Sequence, residues 1–256
     1  QASGEALMAF LNSFTFPLQG DAVIDVATQG SVWDLTQTTQ INWSIADGYS
    51  GEFWTSPQDA FNQINMALNY IEAYINVDFV YSGHFANPEI AYYNGSDITY
   101  SLDGTGFLDP YWAVGYFPND PYSIDAGDIF LNINAGGNFL PSYEPGSQGF
   151  FLILHETFHA LGLKHPFDDG GSGRPTLSEL GLGFVDQDWF SVMSYDDEIG
   201  SEILYDPATP MLLDVLALQF LYGANQSTSA GNDRHQLTET SLYYSLWDAG
   251  GVDWID

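Results

Sequence analysis

The sequence contains no cysteine, so no disulfide can crosslink the fold and no thiolate can ligate a metal. It has no uninterrupted apolar stretch long enough to span a membrane as a helix. Basic residues are nearly absent, since 3 Lys and Arg stand against 34 Asp and Glu and give a formal net charge of −31. A surface of this sign makes nucleic acid and anionic membranes poor partners.

The low content of basic residues does not indicate disorder, because 45% of the residues are hydrophobic and 16% are aromatic. A chain of 256 residues can bury a sizeable core in one large or two small domains. Three interpretations of the acidity stay open. The acidic side chains can form a solvated surface suited to a salty medium, bind structural Ca²⁺ through their oxygens, or attract basic proteins.

One motif indicates a metal site. Residues 155–165 read H-E-T-F-H-A-L-G-L-K-H, the pattern H-E-x-x-H-x-x-G-x-x-H. His155 and His159 are four residues apart, so a helix places them on one face. Gly162 can adopt a positive φ and end the helix, which lets the chain return with His165. Three protein ligands with an open fourth position are typical of catalytic zinc, so we predict one Zn²⁺ bound by these histidines.

Glu156 follows the first histidine, and the motif predicts that it is the general base for a zinc-bound water. The alternative is an ordinary carboxylate on a helix surface. His84 and His235 lie outside the motif and are expected on the surface or in hydrogen-bonded core positions. Lys164, inside the motif, is expected to be a solvated side chain.

A second motif extends the first. Residues 190–195 read F-S-V-M-S-Y, and the long zinc motif followed by a Met-containing turn is the metzincin signature. Within the metzincins the sequence resembles the serralysin family of metalloendopeptidases. The specific resemblance covers roughly residues 90–256 and rests on Pro166, the string Ser191–Tyr195, and the segments Leu221–Asn225 and Ser245–Gly251. The calcium-binding nonapeptide repeat G-G-x-G-x-D does not occur in the sequence.

The resemblance implies a secreted zinc-dependent endopeptidase that acts on protein or peptide substrates. It implies that Met193 packs beneath the histidines as a hydrophobic floor. It also implies that Tyr195 can ligate zinc and then swing to stabilise the developing oxyanion; the alternative is a buried tyrosine hydrogen-bonded to backbone. The expected state is a monomer with one Zn²⁺ and with Ca²⁺ as a possible structural ion.

The implied fold is a metzincin-like α+β structure. It has a twisted, mostly parallel sheet with an antiparallel edge strand, a long helix, the zinc helix, and a cleft over a smaller C-terminal subdomain. Residues 1–225 are expected to form the protease domain, with an upper subdomain of about 1–162 and a lower one of about 163–225. Residues 226–256 are expected to begin a C-terminal β region.

The local patterns predict individual elements. A helix is expected after Ser56-Pro57, and a buried, largely apolar helix is expected over Met211–Tyr222. Short strands are expected around Asp78–Ser82, Ile90–Tyr93 and Asp97–Leu102.

The clearest strand covers residues 127–134. The resemblance implies that it is the antiparallel edge strand above the cleft, which pairs with substrate backbone; an interior strand is the alternative. The predicted substrate-binding residues are Asp128, Ile129, Phe130, Leu131 and Asn132. The loop over residues 167–190 is expected to wall the pocket after the scissile bond, with Phe184 and Trp189 either lining it or lying in the core.

Two other functions are alternatives. One is a catalytically silent binding or spacer module of a larger calcium-dependent secreted or adhesin protein. Glu156 and Tyr195 argue against it, because a silent module needs neither side chain. The other is a metal-dependent hydrolase of non-peptide substrates, which no feature of the sequence supports.

Overall fold

The computed structural model describes residues 11–108, 110–119, 125–134, 144–195, 206–236 and 242–256. These ranges form an α+β structure built on one mainly parallel sheet. The strands are β1 (Ser13–Thr15), β2 (Ser31–Trp33), β3 (Gln40–Ala46), β4 (Asp78–Phe85), β5 (Ile98–Asp103), β6 (Ala113–Gly115), β7 (Asp128–Asn132), β8 (Arg234–His235) and β9 (Trp254–Ile255). The helices are α1 (Ala22–Ala27), α2 (Pro57–Glu72), α3 (Pro88–Tyr93), α4 (Gln148–Ala160) and α5 (Leu212–Tyr222). None of these helices combines the length and the apolarity that crossing a membrane requires.

The main sheet has five strands in the order β4-β3-β5-β7-β6. Its first four strands run parallel, and β6 pairs with β7 in the antiparallel direction. Helices α2 and α4 pack over the face that carries Trp43, Tyr100 and Ile129, which are all fully buried. The result is a two-layer core that supports α4, the helix of the zinc motif.

Helix α2 forms as the sequence predicts. The side chain of Ser56 accepts a hydrogen bond from the backbone of Asp59, and Pro57 takes the first helical position. Ile64, Leu68 and Ile71 lie on one face and are buried. Burial of each such side chain contributes about 1.5–3 kcal/mol, so the apolar stripe holds the helix on the sheet.

Two sequence expectations about local structure are wrong. Ile90–Tyr93 is not a strand but part of α3, because Asn87 caps the backbone of Ile90 and Pro88 begins a helix. Helix α5 is not buried on every side. Leu212, Leu216 and Phe220 are exposed, since residues four apart share the face that points to solvent.

The edge strand is not the strand that the sequence analysis selected. Strand β7 lies inside the sheet, paired with β5 on one side and β6 on the other. Its backbone groups are therefore engaged on both sides and are not open for pairing with substrate, so the expectation for Asp128, Ile129, Phe130, Leu131 and Asn132 is wrong. The antiparallel strand at the sheet edge is β6, and the opposite edge is the parallel strand β4.

Gly162 ends the zinc helix in the way the motif predicts, with φ of 98°. A Cβ at this position would lie 2.2 Å from the carbonyl oxygen of Ser31. Two backbone hydrogen bonds hold the chain here, one at the glycine and one two residues after it. Gln29 N–H donates to the Gly162 carbonyl, and Lys164 N–H donates to the Ala27 carbonyl. The close approach therefore fixes the direction in which the chain leaves α4 toward His165.

Gly162→Ala should destabilise the protein clearly more than Gly51→Ala. The two glycines have similar φ, 98° and 94°, so each substitution carries a similar strain of about 1–3 kcal/mol. Only at Gly162 does the new Cβ overlap backbone, because no atom lies within 4 Å of a Cβ at Gly51. Urea denaturation should show an additional loss of about 1–3 kcal/mol at Gly162. Equal losses for the two variants would mean that the contact with Ser31 relaxes without cost.

Candidate metal centre

The structure brings the three histidines of the motif to one point. His155 and His159 lie one turn apart on α4, and His165 follows the turn at Gly162. The Nε2 atoms of His155 and His159 are each 3.1 Å from Nε2 of His165. Two nitrogen ligands of a tetrahedral ion at about 2.0–2.1 Å would lie about 3.3 Å apart, so the spacing suits a shared zinc.

The opposite edge of each ring determines its tautomer. Nδ1 of His155 lies 2.8 Å from the Val192 carbonyl, and Nδ1 of His159 lies 2.9 Å from the Leu163 carbonyl. Carbonyl oxygens only accept hydrogen bonds, so each Nδ1 carries the proton and each Nε2 presents a lone pair. Nδ1 of His165 likewise faces Asp168 Oδ2 at 2.8 Å.

The three Nε2 lone pairs therefore face one another with no proton between them. Burial lowers the pKa of His155 to about 3 and that of His159 well below its usual value, with the neighbouring imidazoles adding to the effect. The rings are thus neutral at neutral pH. Facing lone pairs on neutral imidazoles repel unless a cation lies between them, so these residues fit Zn²⁺.

Asp168 is a supporting residue that the sequence analysis missed. Its Oδ2 accepts from His165, and its Oδ1 accepts from the backbone of Gly170 at 2.8 Å. A carboxylate on the far side of a ligating imidazole fixes the ring orientation and raises its basicity. The available signal was an acid three residues after the third histidine.

Asp214 supports the Met-containing turn and was also missed. It accepts from Ser191 Oγ at 2.6 Å and from the backbone of Val192 and Met211 at 2.8 Å each. Because Val192 in turn accepts from His155, Asp214 connects α5 to the metal site. Burial raises the pKa of Asp214 to about 6. The signal was the one acidic residue in an otherwise apolar helix. Met193 of the turn is buried in the core.

Glu156 lies beside the histidines and is almost completely buried. Burial raises its pKa to about 8, opposed by a hydrogen bond from the backbone N–H of Gly115. A Cβ on Gly115 would lie 2.5 Å from the Glu156 carbonyl oxygen and 3.1 Å from Glu156 Oε2. Glycine in β6 thus permits the edge strand to approach the carboxylate closely enough to hold it.

Tyr195 lies over the histidine cluster. Its ring centroid is 4.6 Å from that of His165 and 5.5 Å from that of His155. The residue is 67% exposed, so the alternative of a buried tyrosine does not hold. Desolvation at the site, followed by the charges of Glu156 and Asp168, raises the pKa of Tyr195 to about 12. The phenol therefore keeps its proton at neutral pH and can donate it in a hydrogen bond.

Two cavities flank this centre and both reach Glu156 and Tyr195. One is about 280 Å³ and is lined on its far side by Phe117, His159 and Lys164. The other is about 410 Å³, and its wall includes the apolar side chains of Trp112, Phe151 and Leu152. Phe184 and Trp189 line neither cavity, and Phe184 is 75% exposed.

Strand β6 has one backbone edge that does not face β7, and it lies between these cavities. The Trp112 carbonyl accepts from Asn132, and Tyr116 N–H donates to Asp128, so residues 112 and 116 bond to β7. Alternate residues of a strand direct their backbone groups to opposite sides. Ala113 and Gly115 therefore point theirs away from β7, toward the cleft.

The sequence predicts a solvated Lys164 side chain, and this prediction is wrong. Lys164 is 1% exposed, and its Nζ donates to three backbone carbonyls, those of His165, Asp168 and Pro175. Burial lowers its pKa to about 8. His84 and His235 lie away from the metal centre. Nε2 of His84 is 2.9 Å from Asp47 Oδ1, and Nε2 of His235 is 2.7 Å from Asp248 Oδ2.

A second group of possible metal ligands lies near the C-terminal strands. Asp233, Asp248 and Asp253 each offer one oxygen, and these oxygens lie within 4.8 Å of one another. Asp233 Oδ2 is buried and has no hydrogen-bond partner among the described residues. Three carboxylates at this spacing repel one another unless protons or a cation neutralise them.

The fold and the site together define a class of protein. A mainly parallel sheet with an antiparallel edge strand, a helix carrying two histidines, a third histidine after a glycine turn, and a Met-containing turn are compatible with a metzincin-like domain.

Comparison with curated proteins agrees with this class. The chain is 27% identical to Serralysin of Proteus mirabilis over 96% of its own length and 55% of that protein. It is 37% identical to Serralysin C of Dickeya chrysanthemi over 56% of its length and 33% of that protein. It is 32% identical to Metalloprotease AprA of Pseudomonas entomophila over 56% of its length and 34% of that protein.

These similarities make the chain a homologue of the serralysin-type metalloproteases, consistent with a serralysin-type metzincin catalytic domain. No protein-family model matches the sequence. The chain spans between about a third and about half of the length of these curated relatives.

Proposed function

We propose that this chain is the catalytic domain of a secreted, zinc-dependent endopeptidase that hydrolyses peptide bonds in proteins. The observation that carries the proposal is the convergence of three histidine Nε2 atoms beside the buried side chain of Glu156. The centre opens to two cavities rather than to one small closed pocket. Protein substrates are carried over from the relatives, which are named as a serralysin and a metalloprotease, and secretion is carried over from the resemblance to the serralysin family.

Substrate binding would use the edge of β6 that does not face β7. An extended peptide can add to this edge through the backbone groups of Ala113 and the carbonyl of Gly115, whose N–H is held by Glu156, and its side chains can enter the two cavities. Backbone pairing gives affinity with little dependence on side chains. The proposed enzyme therefore has broad protein specificity, with preference set by the apolar wall of the larger cavity.

The chemistry divides between the metal and two side chains. When bound by His155, His159 and His165, Zn²⁺ lowers the pKa of a water molecule to about 7 and polarises a carbonyl. The charge of the bound metal would lower the pKa of Glu156 again, so that its ionised carboxylate, held by Gly115 N–H, would take the proton of the attacking water and pass it to the leaving amine. The phenol of Tyr195 donates a hydrogen bond to the oxygen on which negative charge develops.

Glu156→Gln should retain zinc and fold but lose casein cleavage by at least about 10²–10⁴-fold, since the amide cannot accept the proton. Zinc content is measured by atomic absorption, and cleavage is measured with and without a zinc chelator. Glu179→Gln is the matched control, because Glu179 is an exposed acid whose hydrogen bonds are to Thr176. Near-normal turnover in Glu156→Gln would remove Glu156 from the mechanism.

Wild-type protein that binds zinc and cleaves no protein would instead support the silent binding or spacer module. Cleavage by the wild-type protein therefore distinguishes the endopeptidase from the silent module before the Glu156→Gln variant is compared with it. A peptide library digested by the wild-type protein would report the cleavage preference in the same experiment.

Tyr195→Phe should lower kcat by about 10²-fold with little change in KM, because it removes a donor used mainly in the transition state. Tyr111→Phe serves as the control, since Tyr111 is an exposed tyrosine lining both cavities. Steady-state kinetics on a fluorogenic peptide separates the two parameters. If kcat is the same in both variants and in the wild type, Tyr195 has no part in the chemistry.

We also propose that the cluster of Asp233, Asp248 and Asp253 binds Ca²⁺, whose preferred ligands are carboxylate oxygens. The buried, unpartnered Oδ2 of Asp233 supports this role. The ion would tie the segments around β8 and β9 together.

Millimolar Ca²⁺ should raise the melting temperature of the wild type, and Asp253→Asn should remove most of that increase. Asp59→Asn is the matched control, because it removes one exposed carboxylate of α2 far along the chain from the cluster. Differential scanning calorimetry at constant ionic strength separates calcium binding from charge screening. An equal calcium response in both variants would contradict a site at Asp253.

A further inference from the structure

The two buried cations of this chain hold one loop from opposite ends. We propose that Lys164 is a positioning residue for the metal site: its ammonium group fixes the loop over residues 165–175 so that Asp168 keeps the imidazole of His165 turned toward the zinc. This inference rests on the zinc site of the proposed function. It adds a role for a side chain that ligates nothing.

The contacts of Lys164 indicate orientation rather than charge neutralisation. Its Nζ donates to the carbonyls of Asp168 at 2.6 Å and of His165 and Pro175 at 3.1 Å each. An ammonium group has three hydrogens, so all of them are used. Among the described residues no carboxylate lies within ion-pair distance of Lys164. Three backbone carbonyls from separate points of the loop therefore converge on one nitrogen.

The loop folds closely around the Lys164 side chain. Gly170 has φ of 57°, and a Cβ there would lie 3.0 Å from Cβ of Lys164. Gly170 N–H donates to Asp168 Oδ1 at 2.8 Å. Lys164 thus restrains Asp168 twice, through its backbone carbonyl and through the glycine that passes over the aliphatic stem.

Asp168 transmits this restraint to the ligand. Its second oxygen accepts from His165 Nδ1, which leaves Nε2 of His165 facing the other two histidines. A partner of this kind is worth about 10–100-fold in metal affinity. Without the ammonium, the three partly buried carbonyls lose their donor, and the loop would shift to bring them to water. The orientation of His165 would then no longer be fixed.

Arg174 provides the internal comparison. Its guanidinium donates to Asp25 and Thr28 at 3.2 and 3.1 Å and to the Phe16 carbonyl at 2.7 Å, which fastens the far end of the same loop to the α1 region. Arg174 is buried like Lys164, with 5% of its surface exposed against 1%, but none of these bonds reaches residues 165–168. Its removal should cost stability without changing the metal ligands.

The test measures the zinc dissociation constant by competition with a chromogenic chelator, on metal-free full chain at one pH. Lys164→Met should weaken zinc binding by about 10-fold, and Asp168→Asn by about 10–100-fold. Arg174→Met should lower the melting temperature at least as much as Lys164→Met yet leave the zinc constant within about 2-fold, since it touches no residue next to the ligands. Unchanged zinc binding in Lys164→Met, or equal weakening in both cation variants, would overturn the proposal.

A double-mutant cycle separates positioning through Asp168 from any other effect of Lys164. In Asp168→Asn the carboxylate that accepts from His165 Nδ1 is already lost. If Lys164 acts through that carboxylate and not through its own bond to the His165 carbonyl, adding Lys164→Met should weaken zinc binding by less than about 2-fold. Full additivity would show that Lys164 does not act through Asp168. If Lys164→Met fails to fold, Lys164→Arg keeps the charge but cannot direct three hydrogens to one point, and it should still weaken zinc binding.

The outcome is independent of catalysis. Wild-type protein that binds zinc tightly but cleaves no peptide would contradict the proposed function. The zinc dissociation constants of the double-mutant cycle could still be measured in that case. Wild-type protein that cleaves peptides while Lys164→Met binds zinc normally would contradict only the role of Lys164.

Discussion

Three imidazole lone pairs that face one another across about 3 Å are the constraint on which the rest of this structure depends. Each lone pair exists because the far nitrogen of its ring keeps the proton and donates it in a hydrogen bond to an acceptor. The acceptors come from three different segments: the Met-containing turn, the end of α4, and the loop after His165. The site is therefore only as rigid as the contacts that hold these three segments.

Those contacts form a buried polar network whose members are well satisfied. Asp214 accepts three hydrogen bonds and ties α5 to the Met-containing turn, while Lys164 donates three and ties the loop to the core. Ionised groups in such positions carry a large desolvation cost, which full hydrogen bonding offsets. Through the Met-containing turn and through Asp168, this network is connected to the acceptors of His155 and His165.

The sequence predicts the parts of the site that depend on spacing along one helix and fails where distant segments meet. His155, His159 and the positive φ of Gly162 follow from local periodicity and from the conformational freedom of glycine. Strand β6 carries no comparable signal, since its three residues are too few for a pattern. The apolar run of β7 was in fact typical of an interior parallel strand, which explains why the edge was misassigned.

The burial of Lys164 could not be foreseen for a related reason. Lysine is almost never fully buried, and what makes it possible here is the convergence of three carbonyls from the following loop, a tertiary feature. Asn87-Pro88, in contrast, was a readable helix start that the aromatic residues after it obscured. The wrong predictions are thus of two kinds. Some overlook a local signal such as the helix start at Asn87-Pro88, and others concern tertiary contacts, such as those of Lys164, that no local sequence pattern indicates.

The internal placement of two cations also changes the meaning of the acidity. Of the three basic residues, Lys164 and Arg174 are buried, and the exposed Arg234 is paired with Asp256. The surface is therefore more uniformly anionic than the composition alone suggests. Added salt weakens repulsion between exposed carboxylates but acts little on buried groups. High salt should thus favour the folded state without loosening the loop that holds His165, which is consistent with a surface suited to a saline medium.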